Sequence, residues 1–419
     1  MKITMVSNFL NHHQLPLAEE FYRLLGDDYL FVATEVLPEE RATLGYHDMN
    51  EKYSFCKCAY KSKELWDCCE ERIFESDVVI FAYMSSPKSL IERRLKARKL
   101  TFFYTERIFK KIPFDKVPFR RKAAVWWHNI SVQTKPVYLL CASAFTSLDF
   151  SKLGLYKDKC FKWGYFPETI TTFPQKENPG HLQLLWVGRF LDWKHPEMAV
   201  YTVKELLQRG HESIHLKMIG TGEMFDGINQ LIVNEGLQNN IELCGSMTPE
   251  QVRLNMQKSH VFLMTSDRNE GWGAVLNESM NSACIPIVNH LVGSAPFLAK
   301  QKVNSLIYRD GDLKDLVDNV EWLISNLGEI KTLSENAYHT IVDEWNSRVA
   351  AERLVESIKS MQSSKLTPIF AEGPMSAAFV LSESYYSRCS GGSGPSSRTR
   401  NTRRRAKTRG GSETASPAR

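Results

Sequence analysis

Twice along its 419 residues the chain alternates short apolar runs with longer amphipathic stretches, and no other feature limits its fold as much. In the first half, residues 3–6, 29–33, 78–82, 100–104, 138–141 and 160–163 read as buried strands, with helical patterns in most of the gaps. Asn178-Pro179-Gly180 is a linker-like break. A second alternation then places strands at 182–187, 215–219, 241–244, 261–264, 285–288 and 305–308, and helices at 196–209, 249–258 and 313–325. Continuous apolar strands separated by helices predict parallel sheets covered on both faces. No short-period repeat is visible. The predicted fold class is therefore α/β, with two Rossmann-like domains facing across a cleft. The expected boundaries are 1–175, 181–345, a terminal helix in 346–362, and a disordered basic tail over 363–419.

The charged fraction of 24% and hydrophobic fraction of 43% are those of a globular protein. No apolar run is long enough to span a bilayer, and Met1-Lys2-Ile3-Thr4-Met5-Val6 enters a strand pattern directly, unlike a signal peptide. Nine cysteines without a paired framework suggest reduced thiols and a cytoplasmic setting. Cys56, Cys58, Cys68 and Cys69 have the wrong spacing for a zinc site and read as core thiols. The net charge of +5 is unevenly spread. Residues 391–419 hold eight Lys/Arg against one Glu, and residues 88–122 hold thirteen against three acids.

Chemistry concentrates where the strand at 261–264 meets the next helix. The connection reads Glu270-Gly271-Trp272-Gly273-Ala274-Val275-Leu276-Asn277-Glu278, with a carboxylate at each end. In open parallel sheets, ligands bind at the carboxyl ends of strands. Gly271 and Gly273 permit close backbone approach, and the first amides of a helix attract anions. Amides for a phosphate and carboxylates for hydroxyls suit a nucleotide sugar. Upstream, Val187-Gly188-Arg189 ends another strand, and Lys194 precedes a helix that Pro196 can begin. Arg189 and Lys194 could neutralise a diphosphate from that loop. Gly220-Thr221-Gly222 resembles half of a dinucleotide fingerprint, but Phe225 occupies the third glycine position. Asp310-Gly311-Asp312 spells D-x-D, yet Asp312 is placed to cap the following helix, so no metal is assigned.

The order V-G-R…K, I-G-T-G-E, S-x(3)-E-G-W-G-x(4)-E, then Ile285-Pro286-Ile287-Val288 and Val292-Gly293-Ser294, resembles the C-terminal domain of retaining glycosyltransferases of family 4 over roughly residues 182–350. In the first half, Leu140-Cys141-Ala142-Ser143 and Phe161-Lys162-Trp163-Gly164 are similar to the pattern closing that family's first domain. The resemblance implies a GT-B fold whose terminal helix, 346–362, packs back on the first domain, and metal-independent transfer of a hexosyl unit, with retention. The donor would be a UDP- or GDP-linked sugar, with no cofactor besides it. The acceptor would be a glycan or lipid-linked glycan, in polysaccharide assembly at the cell surface. It assigns Glu270 to the donor-sugar hydroxyls and Glu278 to the ribose. Arg189 and Lys194 would hold the leaving diphosphate, and amides of Gly271 to Val275, with Gly188, Gly220, Ser266 and Trp272, would complete the donor site. Preorganised donors of this kind stabilise the charge that develops on the leaving group.

Cys284 and Ser305 depart from the family pattern, where glycine and an Asn-Gly pair are usual. The family histidine at the end of an N-domain strand is also missing, and either Glu106 or Arg107 takes its place or no residue does. His128 reads as a half-buried helix residue. Asn11, His12 and His13 follow the first strand and are acceptor-side candidates. Cations interleaved with aromatics over 88–122 suit an anionic membrane surface, which would make the protein cytoplasmic and peripheral to the inner face of the cell membrane. The arginine-rich end is expected to be a solvated tail, and the body to bind no nucleic acid. A dinucleotide-dependent oxidoreductase shares the α/β alternation but needs the complete glycine fingerprint. A non-catalytic carbohydrate- or nucleic-acid-binding protein would not need the diphosphate residues.

Overall fold

The computed structural model describes residues 1–38, 48–82, 88–176, 182–363, 370–381 and 385. The first sheet contains β1 (Ile3–Ser7), β2 (Tyr29–Ala33), β3 (Cys56–Cys58), β4 (Val78–Ala82), β5 (Leu100–Thr105), β6 (Val137–Cys141) and β7 (Cys160–Lys162). These run parallel in the order β3-β2-β1-β4-β5-β6-β7. The second sheet contains β8 (Gln183–Val187), β9 (His215–Ile219), β10 (Ile241–Leu243), β11 (Val261–Met264), β12 (Ile285–Asn289) and β13 (Leu306–Tyr308). Its parallel order is β10-β9-β8-β11-β12-β13. Strand order reverses direction at β1 and at β8, so each sheet opens a crevice at the carboxyl end of its central strands. β1, β4 and β12 are buried along their whole length, as their apolar runs require.

The first domain carries α1 (Leu15–Leu25), α2 (Lys63–Glu75), α3 (Lys88–Lys96), α4 (Phe119–Asn129) and α5 (Thr146–Ser151). The second carries α6 (Pro196–Gln208), α7 (Phe225–Asn234), α8 (Pro249–Lys258), α9 (Ala274–Asn281), α10 (Ala295–Leu298), α11 (Leu313–Ser325) and α12 (Ile330–His339). Local signals set the helix starts. Pro196 opens α6, Thr248 and Gln251 form a capping box on α8, and the Asp312 side chain accepts from the Asp315 amide at the start of α11. A final helix, α13 (Ser347–Gln362), buries Ala350, Ala351, Leu354 and Ile358 and lies against α1, where Arg23 pairs with Glu352 at 3.2 Å. The two domains share packed aromatic residues, with Trp272 close to Tyr165, Phe297 and Trp345.

Four details depart from the sequence reading. β3 went unpredicted because three residues, Cys56-Lys57-Cys58, are too short to show a pattern. Cys68 is exposed, whereas Cys56, Cys58 and Cys69 are buried; burial pushes the Cys56 thiol up to about 12 and the Cys69 thiol up to about 11. His128 is exposed on α4, where its Nδ1 approaches the Ala124 carbonyl at 2.6 Å. Residues 370–381 are not a disordered tail. The Met375 and Ala378 amides donate to the carbonyls of Lys162 and Cys160, and the Lys162 amide donates to the Ser376 carbonyl, so the segment adds to the free edge of β7. The Met375 side chain is fully buried there. Composition averaged over the whole tail conceals these few apolar residues, and an unpaired strand edge supplies the backbone partners that they need. The 178–180 break and the arginine-rich run lie outside the described residues.

Candidate active site between the two domains

The site forms where β8 and β11 end. After β8, the Gly188 amide donates to the Ile219 carbonyl and the Gly220 amide to the Gly245 carbonyl, lacing adjacent turns together. Arg189 follows and is exposed, with no ion pair among the described residues. A single helical turn, Asp192–Lys194, delivers Lys194 and stops at His195, whose left-handed φ of 49° redirects the chain into α6. Thr265, just beyond β11, fixes this turn: its hydroxyl accepts from Trp186 Nε1 at 2.8 Å and donates to the Lys194 carbonyl at 2.6 Å. Its neighbour Ser266 is buried.

Residues 267–273 then lead to α9. The Asp267 amide donates to the Trp193 carbonyl and the Glu270 amide to the Asp267 carbonyl, each at 3.0 Å. The Glu270 carboxylate accepts from Lys194 Nζ, both side chains being close to buried. Gly273 takes φ +87°, a left-handed turn into the first residues of α9, Ala274 and Val275. Amides at a helix start have no intrahelical partner and face an anion site. One turn further on, burial raises the pKa of the Glu278 carboxyl from its ordinary value, while the nearby Arg253 guanidinium pulls it the other way. Trp272 differs from the expectation of a donor contact. Its side chain is fully buried and donates from Nε1 to Asn277 Oδ1 at 2.8 Å, while its carbonyl accepts from Ser294. It packs the interface, its ring filling the space that a Cβ on Gly164 of the first domain would take.

From the first domain, Glu106 at the end of β5 meets this loop. A Cβ on Gly271 would fall on the Glu106 carboxylate, so glycine is what admits it. Tyr165 donates its hydroxyl to Glu106 at 2.7 Å, and Lys110 pairs with the same carboxylate. Burial and Glu106 together push the Tyr165 hydroxyl well above its ordinary pKa, so it remains a donor. The His13 ring stacks on Tyr165 with centroids 6.1 Å apart, and His12 lies against His13 at 3.8 Å. Two other sequence candidates turn away. Arg107 is buried against Asp149 at 3.3 Å and over the Phe145 ring, because successive strand-end residues point to opposite faces. Asn11 accepts from the His13 and Gln14 amides and so closes the turn that leads into α1.

Several participants lie outside the sequence reading. His195 bridges Glu197 at 2.8 Å and Asp267 at 3.6 Å, and these carboxylates raise its imidazole pKa to about 10. Glu197 is two residues along the chain and could have been found; Asp267 could not. Gly293, noticed only as part of a motif, lies so close to Gly271 that a Cβ would fall on that residue's carbonyl, and its own carbonyl accepts from the Ala144 amide of the first domain at 2.8 Å. Tyr165 carries no sequence signal, and Lys110 reads only as one cation of the 88–122 stretch.

Two Rossmann-like domains closing on a cleft lined in this way define the GT-B fold. The chain superposes on Alr3699/HepE from Anabaena in complex with UDP with TM-score 0.64 and 13% identity, over 86% of this chain and 100% of that one. The lipopolysaccharide outer core galactosyltransferase WaaB gives TM-score 0.60 and 16% identity, over 86% and 100%. Residues 168–340 match the family described as glycosyl transferases group 1, and this region holds Arg189, Lys194, Glu270 and Glu278. The GPI3 subunit of phosphatidylinositol N-acetylglucosaminyltransferase from Saccharomyces cerevisiae is 24% identical, over 45% of this chain and 41% of its own length. GDP-mannose:cellobiosyl-diphosphopolyprenol alpha-mannosyltransferase from Xanthomonas oryzae is 25% identical, over 42% and 50%. The chain thus spans half or less of the length of these relatives.

Proposed function

We propose that the protein transfers a hexosyl unit from a UDP- or GDP-linked sugar to a glycan or lipid-linked glycan, with retention, in the assembly of cell-surface polysaccharide. The observation that carries this reading is the pairing of Lys194 with Glu270 beside the Gly273-initiated helix, with Arg189 exposed on the adjoining turn. Lys194 and Arg189 supply positive charge to the leaving diphosphate, and the amides at the start of α9 bind its oxygens. These two cations do the work that a metal would otherwise do. Glu270 takes hydroxyls of the sugar and Glu278 takes the ribose. Glu106, held by Tyr165, faces them from the acceptor side. Substitution on one face of the sugar, assisted by the departing phosphate, accounts for retention without a protein nucleophile. The donor is suggested by neighbours solved with UDP and UDP-glucose. A lipid-linked acceptor is suggested by the relatives named for phosphatidylinositol and diphosphopolyprenol. Such acceptors would place the protein peripherally on the inner face of the cell membrane.

Incubation with radiolabelled UDP- and GDP-hexoses, followed by proton NMR of the product's anomeric centre, tests the reading. Slow release of nucleotide and a product with the donor's configuration are expected. Binding of NAD in calorimetry with no response to any nucleotide sugar would overturn it.

A further inference from the structure

The positive stretch 88–122 divides into two parts of different character. In the first, Arg94 is fully buried and donates to the carbonyls of Ile73, Phe74, Ser76 and Leu100. Lys99 donates to the carbonyls of Phe74 and Glu75, and Arg93 lies over the Phe74 ring at 3.8 Å. These cations hold α2, α3 and β5 together.

The second part is different. α4 is a folded helix with no buried residue. Phe119, Ala123, Trp126, Trp127 and Ile130 fall on one face at helical spacing, with Phe119 82% and Trp127 73% exposed. From 107 to 129 the chain holds seven cations and the single acid Asp115. Arg120 is exposed beside the aromatic rings, and Lys111 and Lys116 are exposed on the loop that leads into the helix. Arg121 and Lys122 turn back instead, over the rings of Phe109 and Phe114 at 5.7 and 4.5 Å, and tie α4 to the loop that precedes it. That loop begins at Glu106, whose carboxylate Lys110 also holds.

We infer that α4 is a bilayer-docking helix: Phe119, Trp126 and Trp127 enter the headgroup region of an anionic membrane while Lys111, Lys116 and Arg120 bind its phosphates. Amphipathic rings belong at that boundary. Lysine, by contrast, is depleted in protein–protein interfaces, and an excess of cations this large complements an anionic lipid surface. This deepens the proposed function and rests on it in one respect, the lipid-linked acceptor. With α4 on the bilayer, the 106–118 loop carries Glu106 to the membrane side of the cleft, where such an acceptor is presented.

The test uses the full chain and vesicles of brominated phosphatidylglycerol, with brominated phosphatidylcholine as the uncharged control. Brominated acyl chains should quench tryptophan emission from Trp126 and Trp127 in the anionic vesicles only, and less so at high salt. The double variant Phe119→Ser/Trp127→Ser should bind about a hundredfold more weakly, at about tenfold per side chain withdrawn from the boundary. Arg120→Glu changes the charge by two and should weaken binding about twenty-fivefold, each charge being worth a factor of about five near such a surface. All variants should keep the wild-type melting temperature and the wild-type rate of donor hydrolysis in solution, because these side chains are exposed and away from the cleft. Vesicle binding without quenching would assign attachment to residues without tryptophan, such as the tail, and overturn the inference. Dimers that the double variant dissociates, with no vesicle binding, would assign the face to a second copy. Binding is measured without donor, so its failure and a failure of transfer are separate results.

Discussion

Replacing Lys194 with methionine isolates the pair at the centre of the site. The side chains of Lys194 and Glu270 are 13% and 11% exposed, which places them between two measured regimes. Exposed pairs contribute about 0–1 kcal/mol, and removing one partner of a fully buried pair costs about 3–5 kcal/mol. A destabilisation of about 2 kcal/mol follows for Lys194→Met, because the Glu270 carboxylate keeps its desolvated position and loses its counter-charge. Glu270→Gln strands the ammonium instead and should cost slightly less, since a flexible lysine reaches solvent more readily. The double variant should be more stable than the sum of the two predicts, by about 1–2 kcal/mol of coupling. Activity should behave differently. Lys194→Met should lower turnover by about a hundredfold or more, as the loss of one donor to a developing oxyanion does, and the double variant should recover none of it. Urea denaturation of the four proteins gives the cycle, and donor hydrolysis gives the rates. Additive stabilities, or single variants within twofold of wild-type turnover, would refute the argument.

Three more outcomes follow from the geometry. Gly271→Ala puts a methyl group where the Glu106 carboxylate lies and should lower activity at least about tenfold, with Glu106→Ala in the same chain restoring part of the loss by removing the clash. His195 is bound by Asp267 and Glu197 with its pKa raised to about 10, so its contribution to stability is complete below its unfolded value near 6.5 and vanishes as pH rises through about 10. After allowance for solvent screening this is of order 1 kcal/mol; the difference in melting temperature between wild type and His195→Gln should shrink from pH 6 to pH 10, and a constant difference would contradict it. A chain ending at Ser363 loses the segment that covers the edge of β7 and buries Met375, and its urea midpoint should fall; an unchanged midpoint would mean that the segment contributes nothing to the first domain.

Much of this was readable in the amino acids, and the exceptions have specific causes. Long apolar runs such as those of β4 and β12 leave no other structure open to them, and Pro196, Thr248 and Asp312 mark helix starts by their own chemistry. The Glu270–Glu278 connection was readable because a glycine turn, a helix start and a strand fall within a few residues. What could not be read depends on contacts between distant parts of the chain. Glu106 and Arg107 are neighbours of opposite direction, and only the position of Gly271 shows that Glu106 faces the loop while Arg107 meets Asp149. Trp272 sits among ligand-facing residues, yet its ring belongs to the interface formed by Tyr165, Phe297 and Trp345. His195 acquires its role from Asp267, 72 positions away by residue number. The 370–381 segment needs an open edge of β7, and no local pattern reveals such an edge.

The central claim is that Glu270 binds the sugar of a nucleoside-diphosphate donor. Its most direct test is the steady-state turnover of whichever UDP- or GDP-hexose the wild-type protein hydrolyses, measured beside Glu270→Gln at equal folded concentration. The account predicts that the variant still binds the free nucleoside diphosphate while turnover falls by about a hundredfold or more. Turnover equal to wild type would contradict it.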